Sequence, residues 1–241
     1  ARHLDAADRA LAAQRHVVGQ HQRVVHLVDV VAGQHDDVVG AVRGQDVLVL
    51  VDRIGGAAVP AFLVHPLLRR HNHLRKVLIV VVTANRGLCG GYNSNILRAS
   101  VAKIEAYKKA GVEVVVNLIG KKAISYFNYQ KIPYAASFTN VDDKLTFADA
   151  QKFAEGFMES FSLETVDKID IVYTKYINAA VQTPVTETVL PVEINTEEKA
   201  HKSLPFLFEP DPQAILESLL PKAICMNVYQ SLIDAIASEQ I

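Results

Sequence analysis

The sequence predicts an open α/β fold, a largely parallel sheet with flanking helices, followed by the base of a long C-terminal helix. Three observations carry this reading. Val77-Leu78-Ile79-Val80-Val81-Val82 is an unbroken apolar run, mostly β-branched, as expected of a central strand covered on both faces. A glycine-rich segment, Gly87 to Gly91, separates it from a stretch with helical periodicity. Strand-like and helix-like segments then alternate down the chain, which is the order of an α/β sheet.

After the first strand, Ile96, Leu97, Val101, Ile104 and Tyr107 keep three- and four-residue spacing. This helix runs from an Asn-rich start at Asn93 or Asn95 to a glycine stop at Gly111. Val112 to Ile119 reads as a second strand, Lys121 to Tyr129 as a short helix, and Pro133 to Phe138 as a short third strand after a turn. Thr146 is placed to cap a helix in which Phe153, Phe157 and Phe161 recur every four residues as a core stripe. Ile169 to Ile177 and Thr186 to Val192 complete the sheet. Pro184 and Pro191 send the latter to its edge, since proline cannot donate to a ladder.

Asp211 as N-cap and Pro212 as first helical residue open the last helix. Its apolar positions Ile215, Leu219, Leu220, Ile224, Val228, Leu232 and Ile236 recur at near-heptad spacing. Pro221 is expected to kink or divide it, because it removes a backbone donor. The stripe is unfinished at Ile241, so the helix is expected to leave the domain and to need a partner helix.

Composition narrows the function classes. The 241 residues are 50% apolar and 21% charged with net charge −1, without the basic excess of a nucleic-acid binder. Two Cys cannot build a disulfide framework, and the default compartment is a reducing one. The longest uncharged apolar run, Val77 to Ala84, is far below the roughly 20 residues of a membrane span, so membrane association is expected only through a partner. No signal peptide is legible, because Val24 to Val31 is broken by His26 and Asp29.

Residue usage changes abruptly at Leu74 to Lys76. Residues 1–75 hold 15 Val, 9 Arg and 8 of the 9 His but no Lys, Glu, Ser, Thr, Tyr, Cys or Met, whereas 14 Lys and 12 Glu follow. The formal charge is +2 before the boundary and −3 after it. The histidines His3, His16, His21, His26, His35, His65, His71 and His73 lack metal-ligand spacing and any Cys or Glu partner. A small genuine domain, with Asp46 to Val51 as a strand, is a second reading; translation from the wrong frame of a GC-rich gene is the one the composition favours. The expected organisation is therefore an anomalous segment over 1–75 with no specific core, an α/β domain over 76–207 and the start of a long helix over 208–241.

The glycine segment sits where α/β folds place phosphate loops, so an enzyme must be weighed. A dinucleotide site wants Gly-x-Gly-x-x-Gly and an acid at the end of the second strand; here the spacing is Gly-x-x-Gly-Gly, and Asn117 to Gly120 is followed by Lys121 and Lys122. The Walker motif fails too, because Lys122 stands where Ser or Thr belongs. The alternative is structural: glycines for tight turns, with Asn side chains capping the helix. Cys89, near a helix start, has no neighbouring base or resolving thiol, and it reads as a packed residue, as does Cys225. His201 is the only histidine beyond the anomalous segment, which leaves no Ser/His/Asp set. Glu197-Glu198 and Asp142-Asp143 read as solvated loop charges. No catalytic group, cofactor site or metal site is expected.

The run Arg86-Gly87-Leu88-Cys89-Gly90-Gly91-Tyr92-Asn93-Ser94-Asn95 resembles the RGLCGGFN-type segment of the gamma subunit of rotary (F-type) ATP synthases. Phe208 to Pro212, Leu219-Leu220-Pro221, Val228-Tyr229 and Ala237-Ser238-Glu239-Gln240 resemble the start of that family's long C-terminal helix, in order and spacing. Together they cover residues 76–240. The resemblance implies a Rossmann-like foot domain on a central-stalk rotor that couples proton-driven rotation to ATP synthesis in the alpha/beta ring. Implied partners are the alpha and beta subunits, the epsilon subunit and the c-ring, at the cytoplasmic face of a bacterial inner membrane, with no nucleic acid. It assigns the loop from Arg86 to Asn95 to foot architecture and Ala237 to Gln240 to the shaft. Asn85 stands where Asp is common. Against the family pattern, residues 1–75 lack the expected N-terminal helix and the C-terminal helix stops early, so a truncated shaft is expected. The runner-up is a small nucleotide-binding α/β enzyme using Gly87 to Gly91.

Overall fold

The computed structural model describes residues 65–71, 73–141, 144–192 and 212–240. The readings placed on residues 1–64, Asp142-Asp143, Glu197-Glu198, His201 and Phe208 to Asp211 lie outside them. A 3₁₀ turn over Pro66–Leu68 precedes β1 (Lys76–Val82), α1 (Tyr92–Lys109), β2 (Glu113–Ile119), α2 (Lys121–Tyr129), β3 (Ala136–Phe138), α3 (Phe147–Ser162), β4 (Lys168–Asn178), β5 (Val181–Leu190) and α4 (Pro212–Glu239).

The apolar run becomes the middle strand of a five-stranded sheet of order β3-β2-β1-β4-β5. β1 to β4 are parallel, and β5 returns antiparallel on β4. Side chains alternate across β1: Val77, Ile79 and Val81 enter a core with α1 and α2, while Leu78, Val80 and Val82 enter one with α3 and α4. The result is a three-layer α/β/α sandwich. Phe157 and Phe161 are buried in the second core and Phe153 packs against it, as the stripe predicts. Thr146 caps α3 in a reciprocal capping box with Asp149. Pro184 lies in the edge strand β5, and Pro191 follows its last residue.

Several expectations need correction. β3 is only Ala136–Phe138, because the chain is still crossing from α2 at Pro133. β5 begins at Val181, five residues before the predicted start, because it forms a hairpin with a β4 that outruns the sheet; β1 pairs β4 only as far as Val172. Asn178 Oδ1 closes the hairpin by accepting from the N–H groups of Ala180 and Val181, 2.9 Å each.

α4 differs most. It is continuous through Pro221, and its described length lies on the domain rather than leaving it. Leu216, Leu219, Leu220, Ile224, Val228 and Leu232 are buried, with most of them in the core shared with α3 and β4. Near-heptad spacing suits a helix laid between a sheet and a neighbouring helix as well as a coiled coil, so the stripe needs no outside partner over this span.

The fold also begins upstream of the compositional boundary. Leu67 is buried in the α3/α4 core, and its carbonyl accepts from Val192 N–H at 3.2 Å. Asp167, 1% exposed, accepts from the N–H groups of Arg75 (2.5 Å) and Lys76 (3.0 Å) and from the Arg75 guanidinium (3.0 Å). The expected lack of a specific core therefore does not hold at Leu67.

Candidate functional site

The loop from Thr83 to Gly91 leaves the carboxyl end of β1. Because β2 lies on one side of β1 and β4 on the other, this is the switch point at which an open α/β sheet forms a crevice. Thr83 fixes the start of the loop: its N–H and hydroxyl both donate to the Ile119 carbonyl (2.8 and 3.1 Å), and its Oγ1 accepts from Ala123 N–H at 2.9 Å. The adjoining β2–α2 turn is Gly120, at φ +97°. A Cβ there would stand 2.0 Å from the Thr83 carbonyl oxygen, so only glycine fits. Gly120 is thus a backbone device for close approach of two turns.

Asn85 ties this corner together. Its amide N–H₂ donates to the carbonyls of Thr139 (3.1 Å) and Val141 (2.9 Å), and its Oδ1 accepts from Lys121 N–H (3.1 Å). An aspartate could accept from Lys121 but could not supply the two donors.

At α1 the expected Asn cap is replaced. Gly91 is the N-cap and offers no side chain; Asn93 Oδ1 instead accepts from Ala84 N–H at 3.0 Å, and Ser94 Oγ donates to the Gly91 carbonyl at 3.0 Å. Asn95 N–H donates to that same carbonyl. The Asn-rich stretch therefore closes the loop onto its helix. Arg86 and Leu88 are exposed, with Leu88 and Gly90 both at positive φ (+66° and +47°). Cys89 is half-buried, and its thiol donates to the Gly87 carbonyl. Cys225 is buried, which pushes its thiol above the ordinary value.

What occupies the crevice is the end of α4. Tyr92 Oη donates to the Ala235 carbonyl at 3.0 Å, Ser238 Oγ donates to the Thr174 carbonyl at 3.3 Å, and the Arg86 guanidinium pairs with the Glu239 carboxylate at 3.1 Å. Burial, reinforced by Glu239, drives the Tyr92 hydroxyl far above its ordinary pKa, so it stays a donor. The two predicted groups of residues, Arg86 to Asn95 and Ala237 to Gln240, are thus brought together by the Arg86–Glu239 pair, while Tyr92 reaches Ala235 one turn earlier on α4 and Ser238 reaches Thr174 on β4. Ala237 is half-buried and Gln240 exposed.

Three buried carboxylates escape the sequence reading, although Asp170 inside an apolar strand is a visible signal. Its carboxylate accepts from Tyr107 Oη (2.6 Å) and Thr188 Oγ1 (2.9 Å), with Lys168 and Lys103 at 3.5 and 3.8 Å. Burial and that hydrogen bond raise the Tyr107 hydroxyl pKa. Asp167 is pushed up by burial, but the donors of Arg75 and Lys76 outweigh this and hold it below the carboxylate range. Asp234, on α4, is raised by burial, only partly offset by the Gln230 amide. Asp170 and Asp167 tie separate elements together, whereas the Gln230 amide that bonds Asp234 lies on the same helix. Among the described residues no group of three or more His, Cys, Asp or Glu is placed to hold a metal ion, and no helix is long and apolar enough to cross a membrane.

A family model described as ATP synthase matches residues 1–241. The ATP synthase gamma chain of Leptospira biflexa serovar Patoc is 45% identical over 183 residues, 75% of this chain and 63% of its own length. That of Gemmatimonas aurantiaca is 37% identical over 177 residues, 73% and 61% respectively. The chain therefore spans under two thirds of the length of these curated relatives. Among solved structures, a chain of the central stalk and c-ring of Tetrahymena thermophila mitochondrial ATP synthase superposes with a TM-score of 0.54 at 17% identity, covering 82% of this chain and 89% of that one; at this identity the likeness is one of fold.

Proposed function

We propose, from the premise that this chain belongs to the ATP synthase gamma-chain family, that it is a central-stalk rotor subunit coupling proton-driven rotation to ATP synthesis. The observation that carries this reading is the filled crevice. Where a nucleotide-binding α/β protein keeps space for phosphates, Tyr92, Arg86 and Ser238 fasten the last turns of α4. The glycine loop then works as a clamp between foot domain and shaft helix. A shaft needs that junction stiff, because torque is transmitted only as far as the helix cannot slip on its seat.

In this proposal residues 76–207, with Leu67 and Arg75 packed onto them, are the foot, and 208–241 begin the shaft. The chain supplies no catalytic residue; it acts by biasing the catalytic alpha/beta sites through unequal contacts. Met226, Ile233 and Ala237, half-buried on α4 at seven- and four-residue spacing, offer a second stripe for a shaft partner. The setting is the cytoplasmic face of a bacterial inner membrane, held through the complex, with epsilon subunit and c-ring below and the alpha/beta ring above.

Capture experiments test this. Immobilised epsilon subunit and c-ring are expected to retain the chain, and the alpha/beta ring alone to hold it poorly, since α4 lies on its own domain over its described length. Failure of epsilon subunit and c-ring to retain the chain would overturn the assignment, whereas strong retention by the ring alone would overturn only the expected weakness of the shaft contact. Titration with ATP or NAD separates the enzyme reading: saturable binding abolished by Gly90→Val would favour a nucleotide site.

A further inference from the structure

Among the described residues, α4 covers the β4 side of this face of the sheet and α3 roofs the β1–β3 half. Between α3 and the β1–β3 half lies a groove of about 410 Å³, within the range of small-molecule sites. Ile119, Phe138, Phe153 and Phe157 wall it. Two of its residues are not what a purely structural core would select.

The first is Asn117. On β2 it occupies the face that elsewhere carries Val115 and Ile119 into the α3/α4 core, so an apolar side chain is the ordinary choice. Its half-buried amide makes no hydrogen bond to any described residue, leaving a donor and an acceptor on the groove floor. The second is Gly156, at mid-helix in α3, where glycine costs about 1 kcal/mol relative to alanine. No tight contact requires it, since a Cβ there would meet nothing within 4 Å, and its φ is not in the left-handed region. Gly156 is exposed and lines the groove, so α3 presents no side chain at that point of the groove's rim. At the rim, Lys152 and Asp149 pair with each other at 3.4 Å, so the site presents no uncompensated charge.

We propose that this groove binds a small neutral aromatic molecule bearing a carboxamide or lactam edge. The ring would lie among the phenylalanines, and its paired donor and acceptor would meet those of Asn117. The site is separate from the α4 clamp, so its failure would leave the rotor reading standing.

The probe is benzamide, titrated into the ¹⁵N-labelled full chain, with acetophenone, which lacks the N–H donors, as control. Benzamide is expected to shift the Asn117 side-chain amide and the backbone N–H groups of Phe138 and Gly156 saturably. Gly156→Leu, which improves helix propensity while filling the groove, should weaken binding at least tenfold with an unchanged circular dichroism spectrum. Asn117→Leu should weaken benzamide about fivefold to tenfold more than acetophenone, whose carbonyl can accept from the Asn117 amide but which has no N–H to donate to it. Absent or non-saturating shifts would overturn the proposal, as would undiminished binding to Gly156→Leu or equal loss of both probes in Asn117→Leu.

Discussion

Replacing Gly120 by alanine tests whether the corner holding the glycine loop is as tight as its geometry implies. The new Cβ would lie 2.0 Å from the Thr83 carbonyl oxygen, 2.7 Å from its carbon and 2.8 Å from Oγ1, so backbone must move. Moving it apart disturbs three hydrogen bonds, two from Thr83 to the Ile119 carbonyl and one from Ala123 N–H to Thr83 Oγ1. At about 1 kcal/mol each, with about 1–2 kcal/mol for alanine at φ +97°, the cost is about 4 kcal/mol. Gly111 provides the control: it has φ +76° but nothing within 4 Å of the place a methyl would take, so Gly111→Ala should cost only about 1 kcal/mol. Urea unfolding followed by circular dichroism reads both. With a slope of about 2 kcal/mol per molar, the midpoint should fall by about 2 M for Gly120→Ala and about 0.5 M for Gly111→Ala. Equal shifts would refute the steric argument and leave only the conformational one.

Three further outcomes follow from the same geometry. Tyr92→Phe removes a buried donor from the Ala235 carbonyl and should cost about 1 kcal/mol, with faster hydrogen exchange confined to the last turns of α4; exchange unchanged there would mean the clamp does not hold the helix. Gly156→Ala should stabilise the chain by about 0.5–1 kcal/mol in the same urea assay, because the methyl enters open space. Asp167 has a lowered carboxyl pKa when folded, so its contribution is complete above the unfolded value of about 3.8 and is lost as pH falls below it; Asp167→Asn should flatten that acid limb.

Much of this architecture is legible in the sequence because its cues are local. β1 needs only six consecutive apolar residues, and Lys121–Tyr129 is framed by its own glycine and turn. Thr146 and Asp149 announce α3 three residues apart. The misses involve distant partners. Asn93 is taken from its capping role by the N–H of Ala84, and that competition appears only when the loop folds back. β5 reads short because Pro184 interrupts its pattern, while its true start depends on how far β4 extends. The seat of α4 is hidden for the same reason: Leu220, Ile224 and Leu232 face a sheet assembled from residues far upstream. In the candidate site, the motif is readable as a string, whereas its meeting with Glu239 and Ala235 spans some 150 residues of sequence.

The placement of β1 at the centre has a consequence for synthesis. Residues 76–140 can assemble β1, β2 and β3 as soon as they emerge, yet the flank of β1 reserved for β4 stays bare until residue 168 is made. Counted from the end of β1 at Val82, and at 5–20 residues per second, that interval is roughly 4–17 s. Throughout it, a ribosome-bound intermediate displays an open Val-rich edge, the kind of surface that nucleates mispairing between nascent chains. Translation speed across α3, and the holding capacity of chaperones at that moment, therefore bear on yield alongside the stability of the finished domain.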